Sequence, residues 1–65
     1  MFKFQGDWFN AQYVVAMTRE DAVVYVYAHD AEEPWEYTFD DEDHAREELD
    51  KAARDWATAL QLTPQ

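Results

Sequence analysis

The side chains able to do chemistry are concentrated in one stretch. Residues 30–50, DAEEPWEYTFDDEDHAREELD, hold eleven carboxylates and a single base, Arg46. This segment has a net charge of −10, equal to the formal charge of the whole 65-residue chain. The flanks nearly cancel, with Lys3 and Arg19 against Asp7, Glu20 and Asp21 before it and Lys51 and Arg54 against Asp55 after it. Carboxylates in such number can cap a helix, hold a divalent cation, act as an acid–base pair or present a row of negative charge to a basic surface.

Spacing decides among these. Asp40-Asp41-Glu42-Asp43 lacks the alternating oxygen ligands, the glycine at the sixth position and the glutamate at the twelfth that a calcium loop of the EF-hand kind requires. His29 and His44 are the only histidines, and without cysteine they cannot assemble the usual four-ligand zinc set. Both read as solvated residues, one at a strand end and one in a first helical turn. Cys and Ser are absent, and Thr18, Thr38, Thr58 and Thr63 have no base beside them in sequence. Two carboxylates could cleave a glycoside, but a chain this short leaves little room for a substrate cleft. The expectation is a protein that is not an enzyme and uses no metal or cofactor.

What remains is the row of charge. Acids that only cap a helix need number one or two, and solubility asks for a net charge of about 2–8 in magnitude; eleven in one segment exceed both needs and add repulsion that folding must overcome. Duplex DNA carries one charge per roughly 1.7 Å of axis, and its binders meet those charges with Lys and Arg. Carboxylates three and four apart on a helix face present a comparable row. The candidate partner-binding residues are therefore Glu32, Glu33 and Glu36 in a turn and strand, then Asp40, Asp41, Glu42, Asp43, Glu47 and Glu48 on an early helix, all chosen by charge density. Glu42 and Glu47 rank lower, because Arg46 and Lys51 lie four residues on and would partly neutralise them. The partner would be the basic DNA-binding surface of a protein complex, not nucleic acid or an anionic membrane, both of which this charge repels.

The elements that must carry these residues follow from periodicity. The chain is one domain, and three Trp, four Tyr and four Phe supply the dense apolar burial that a cysteine-free domain of this size needs. Residues 2–5 alternate, and Gly6-Asp7 signals a turn, so this segment is either a short edge strand or a tether. Residues 8–17 read as a strand with Phe9, Ala11, Tyr13, Val15 and Met17 facing the core. Residues 18–21 form a polar connection, and residues 22–29 make a central strand with Val24 and Val26 on one face and Tyr25 and Tyr27 on the other. Pro34 opens a third strand with Trp35, Tyr37 and Phe39 inward and Glu36 outward. Asp40 or Asp41 caps a helix that reaches about residue 62, where Thr63-Pro64 ends it; Asp40 with Asp43 resembles a capping box. Ala45, Leu49, Ala52, Ala53, Trp56 and Leu60 make its buried stripe, and Glu42–Arg46, Glu47–Lys51 and Asp50–Arg54 are spaced to pair. The predicted fold is α+β: a three-stranded antiparallel meander, four-stranded where residues 2–5 pair, with one C-terminal helix packed on one face. Its core should hold Phe9, Tyr13, Val15, Val24, Val26, Trp35, Tyr37, Phe39, Leu49, Trp56 and Leu60.

In size, acidity and α+β layout the whole chain resembles the small acidic anti-CRISPR proteins of phages, in particular the inhibitors of type I systems that mimic DNA, and EYTFDD resembles their acidic segments. That resemblance implies an inhibitor that blocks the DNA-binding surface of a Cascade-type interference complex, for instance its PAM-reading subunit. It also implies a cytoplasmic location in a phage-infected bacterial cell. The absence of cysteine fits an intracellular protein. MFKFQGDWFN lacks a charged-then-apolar leader pattern, and no apolar run approaches the roughly 20 residues of a membrane span. Repulsion between like-charged copies favours a monomer. The alternative is a protein–protein interaction module in which Tyr25, Tyr27 and Trp8 form an aromatic patch and the acids serve solubility. Tyr25 and Tyr27 also resemble the stacking aromatics of single-strand RNA binders, but those need a basic groove that this chain lacks.

Overall fold

The computed structural model describes residues 1–62 and runs β1 (Phe2–Phe4), β2 (Asp7–Phe9), β3 (Val14–Glu20), β4 (Val23–Ala28), β5 (Trp35–Thr38) and α1 (Glu42–Leu62). The fold is α+β: strands β3-β4-β5 form the antiparallel meander and the C-terminal helix follows it. Strands β1 and β2 pair with each other as a separate hairpin and do not extend the meander.

Turn chemistry explains that hairpin. Gln5 and Gly6 link β1 to β2 with φ of 51° and 86°. Two successive left-handed residues give the twist that suits a two-residue hairpin loop. Glycine takes such a φ without penalty; glutamine does not. The register Phe2↔Phe9 and Phe4↔Asp7 sends all three phenylalanines into the core, with Phe2 and Phe9 stacked at 5.7 Å. Phe4 then meets Tyr37 edge-on at 4.9 Å, and the Tyr37 hydroxyl donates to Asp7 Oδ2 at 2.7 Å. The hairpin thus packs over β5 on the same side of the meander as the helix.

The strand expected over residues 8–17 is two strands with a turn between them. Asn10 makes the break: its side-chain oxygen accepts from Gln12 N at 3.0 Å and its carbonyl from Tyr13 N at 2.9 Å. Asparagine readily forms such a local turn in place of a ladder. A bulge follows, because Val14 pairs with Ala28 while Ala16 pairs with Tyr27, leaving Val15 without an opposite residue. Each irregularity shifts the inward–outward phase. Phe9 and Ala11 are buried as expected, but Tyr13 and Val15 are 51% and 53% exposed, Val14 is buried in their place, and Met17 returns to the core. The connection expected at residues 18–21 shrinks to Asp21 and Ala22, since Thr18, Arg19 and Glu20 are laddered to β4.

Strand β4 is central, and Val24 and Val26 are wholly buried. The pairs Val24↔Tyr37 and Val26↔Trp35 place the β5 aromatics on that same inner face. Tyr37 and Phe39 pack on the core, but Trp35 stays 39% exposed at the sheet edge, its ring standing edge-on to Phe9 at 5.3 Å.

Asp41 is the N-cap of α1, its Oδ1 accepting from His44 N at 2.7 Å. The residue three after the cap is thus His44, and the expected Asp40/Asp43 box does not form. Ala45, Leu49, Ala52 and Trp56 face the core as expected. Ala53 and Leu60 are exposed and Ala59 is buried instead, so the seam runs 45, 49, 52, 56, 59. Small alanines let the helix approach β1, β3 and β4 closely. The Trp56 indole N–H donates to the Ala11 carbonyl at 2.9 Å, tying the helix to the inter-strand turn. The expected stop at Thr63-Pro64 lies outside the described residues. No helix among the described residues is long and apolar enough to cross a membrane.

Candidate protein-binding surface

The fold distributes the acids over two ends and one face of the meander. Glu32 and Glu33 are exposed in the β4–β5 turn, at one end of β5. Asp40, Asp41, Glu42 and Asp43 are exposed beyond its other end, and β5 itself spans about 13 Å by the rise of four extended residues. Glu36 lies between them, opposite Tyr25 on the outer sheet face that neither helix nor hairpin covers. From Asp43 the helix carries Glu47 and Asp50 outward, in steps that rise about 6 Å and about 4.5 Å along the axis.

Two further acids join the helix end. The β3–β4 turn folds back against the entry to α1, where Phe39 N donates to Ala22 O at 2.9 Å and Arg19 meets Glu42 at 3.2 Å. Glu20 and Asp21 therefore stand beside the acids of the first helical turn. Sequence reasoning left them out because they are some 20 residues away in the chain; the hairpin register is the signal that would have found them.

Several predicted residues already have work inside the fold. Asp41 is committed to the cap. Glu42 pairs with Arg19, not with Arg46 as its spacing suggested, and Arg46 turns back to Asp43. Glu48 lies 3.6 Å from the His44 imidazole and accepts from Gln5 Nε2 at 3.3 Å, tying the helix to the first hairpin turn. Arg54 donates to the Asp50 backbone carbonyl, and Glu47 and Lys51 form no ion pair among the described residues. The acids left most available are Glu32, Glu33, Glu36, Asp40 and Glu47, with Asp30 and Asp50 beside them. Glu47, ranked low from sequence, moves up, and Asp41, Glu42, Asp43 and Glu48 move down.

The outer sheet face carries Val23, Tyr25 and Tyr27 with Thr18, Thr38, Glu20 and Glu36. Partial burial, then the Glu36 and Glu20 carboxylates, push the Tyr25 hydroxyl above its usual range. Tyr37 on the inner face is raised much further, by burial first and by its bond to Asp7 second. Trp8 is not on this face. It is 64% exposed on the hairpin, with Lys3 Nζ 5.8 Å from its ring, so the expected patch of Tyr25, Tyr27 and Trp8 is divided between two surfaces. Among the described residues no trio of His, Asp or Glu gathers closely enough to hold a metal ion.

Comparison of the chain with protein-family models, with curated proteins and with solved structures finds no match.

Proposed function

We propose that this protein is an acidic inhibitor that mimics DNA and occupies a basic DNA-binding surface of a partner complex. The observation that carries the reading is the exposure of acids at both ends of β5 and along the first half of α1, on a chain whose flanks are close to neutral. Lys and Arg that would meet phosphate would meet Glu32, Glu33, Glu36, Asp40 and Glu47 instead, and the long-range field would speed encounter. The resemblance to type I anti-CRISPR proteins points to a CRISPR interference complex of the Cascade type, with its PAM-reading subunit as the natural place to compete. The mechanism is occupancy: no bond is made or broken and no cofactor takes part.

The test is a gel shift of a PAM-containing duplex by a reconstituted type I interference complex, with this protein added in increasing amounts. The duplex should be displaced, and displacement should weaken steeply from low to physiological salt. The variant Glu33→Lys, Glu36→Lys, Asp40→Lys and Glu47→Lys should lose it while keeping its fold, because none of these four caps the helix or pairs within the protein as an ion pair. A duplex that stays bound at saturating inhibitor, or equal displacement by the reversed variant, refutes the reading for that target.

A second reading rests on the uncovered outer sheet face, where Val23, Tyr25 and Tyr27 form a partly apolar strip. A module that docks through this strip would bind independently of salt and lose affinity on Tyr27→Ala.

A further inference from the structure

A cleft of about 260 Å³ opens where the first hairpin, the 10–13 turn and the start of β5 meet, lined chiefly by Trp8, Phe9, Tyr13, Ala28, Asp30 and Trp35. Small-molecule sites usually measure about 300–1,000 Å³, so this one suits the head of a single side chain. Three of its lining rings, Trp8, Tyr13 and Trp35, are 64%, 51% and 39% exposed, unusually open for aromatics in so small a domain. Met1, which bears the α-ammonium, and Asn10 complete the lining, and its one anionic group is the Asp30 carboxylate.

We propose that this cleft binds an arginine side chain presented by a protein partner, with the guanidinium against the rings and its N–H groups on Asp30. Indole and phenol faces attract cations, and a guanidinium adds planar stacking and a two-pronged bond to carboxylate. The protein already uses one of these rings in this way, since Lys3 Nζ lies 5.8 Å from the Trp8 centroid. Lys3 itself does not line the cleft, so its ammonium does not fill it. Charge complementarity selects the occupant: Glu32 and Glu33 follow Asp30 in the same turn, and the −10 chain repels anionic ligands. The walls are set before anything binds. Phe9 holds Trp35 edge-on at 5.3 Å, Tyr13 is fixed at both backbone polar groups by Asn10 and His29, and Trp56 anchors Ala11 from below. Such preorganisation removes part of the ordering penalty of binding.

The inference takes the source of the side chain, a basic partner surface, from the proposed function, but the chemistry of the cleft is measurable alone. Capped Gly-Arg-Gly, Gly-Lys-Gly and Gly-citrulline-Gly peptides are titrated into the full chain while NMR follows the three indole N–H signals. The arginine peptide should shift Trp8 and Trp35 in a saturable way and leave Trp56 in place. Citrulline, of the same shape without charge, should bind at least about tenfold more weakly, and lysine more weakly than arginine. Trp8→Ala should weaken the arginine peptide about two- to fivefold and Asp30→Asn about fivefold or more. Asp30→Asn carries the test alone should Trp8→Ala fail to fold. Equal binding of citrulline, tighter binding of lysine, shifts confined to backbone amides of residues 40–50, or an unchanged affinity in Asp30→Asn would each overturn the proposal. The Lys-reversed variant of Glu33, Glu36, Asp40 and Glu47 separates the two ideas. Indole shifts that persist there while DNA displacement is lost mean the cleft stands apart from the acid rows; in the parent chain, DNA displacement without indole shifts means mimicry stands and the cleft proposal falls.

Discussion

Trp56 is where the helix, the inter-strand turn and the core are joined, and its replacement separates the contributions of packing and of a hydrogen bond. Its indole N–H donates to the carbonyl of Ala11, a residue 1% exposed. Removing the donor strands a buried acceptor, at about 1–3 kcal/mol. Trp56→Phe does this and also leaves a small void, adding about 1 kcal/mol. The expected loss is therefore about 2–4 kcal/mol, against a total stability of about 3–10 kcal/mol for a domain of this length. Each kcal/mol moves the melting temperature of so small a domain by about 4–8 °C, so a fall of at least about 8 °C is expected. Trp56→Ala, which removes the whole ring, should cost about 3–5 kcal/mol, a large share of that total. Urea denaturation followed by far-UV circular dichroism measures the difference. A benzothienylalanine analogue, which keeps the bicycle and lacks the N–H, isolates the bond and should lose about 1–3 kcal/mol of that total. A Trp56→Phe protein within 0.5 kcal/mol of the parent, by the usual scatter of harmless substitutions, would refute this placement of the ring.

Gln5→Asn should stabilise the fold by a net of about 0.5 kcal/mol, because asparagine tolerates the left-handed φ of this turn better than glutamine does and the bond it gives up, Gln5 Nε2 to Glu48 at 3.3 Å, is exposed and weak; a thermal melt no higher than the parent's would contradict that account. Salt should raise the melting temperature between low and physiological ionic strength, since screening relieves repulsion among clustered acids more than it weakens exposed pairs such as Arg19–Glu42. A steady fall would show that attraction dominates. Tyr37 is held protonated in the fold, so the folded chain retains a proton that the unfolded chain releases near pH 10. Its contribution is complete below that pH and is lost as pH climbs above it. Tyr37→Phe should cost about 0.5–1.5 kcal/mol at neutral pH and make stability less steep above about pH 10; parallel pH profiles for the two proteins would contradict this.

Strands β4 and β5 and the helix were legible because their residues obey one period throughout. Val23 to Ala28 alternates without interruption, and Ala45, Leu49, Ala52 and Trp56 keep a helical stripe. The N-terminal third was misread where local polar chemistry overrides period. Asn10 turns the chain in the middle of an otherwise apolar alternation, and the bulge at Val15 shifts the phase again, so Tyr13 and Val15 face outward. Phe2 and Phe4 were visible as an alternating pair, but their burial depends on a hairpin landing on β5, which short-range pattern does not encode. At the candidate surface the acids themselves were readable, whereas their internal partners were not. Arg19 is 23 residues from Glu42 in sequence, and only the β3–β4 hairpin brings them to 3.2 Å. Leu60 yielded its place to Ala59 because steps of three and of four from Trp56 fall on either side of the same stripe, and here the three-residue step faces the sheet.

The acid rows and the aromatic cleft would act at different stages of the same encounter. Exposed carboxylates work through a field that reaches about 8–10 Å at ordinary salt, so their removal should slow association and abolish its salt dependence. A side chain seated between rings is shielded from that salt, so loss of Trp8 or Asp30 should leave association nearly unchanged and speed dissociation. The two sets adjoin at the β4–β5 turn, where Asp30 lines the cleft and Glu32 and Glu33 stand outside it. An arginine drawn in by Glu32 and Glu33 would therefore arrive within reach of the cleft. Kinetics of the complex separate the stages: Glu33→Lys should change mainly the on-rate, and Asp30→Asn mainly the off-rate. A Glu33→Lys protein altered only in its off-rate would show that the turn makes close contact with the partner and does not act by steering.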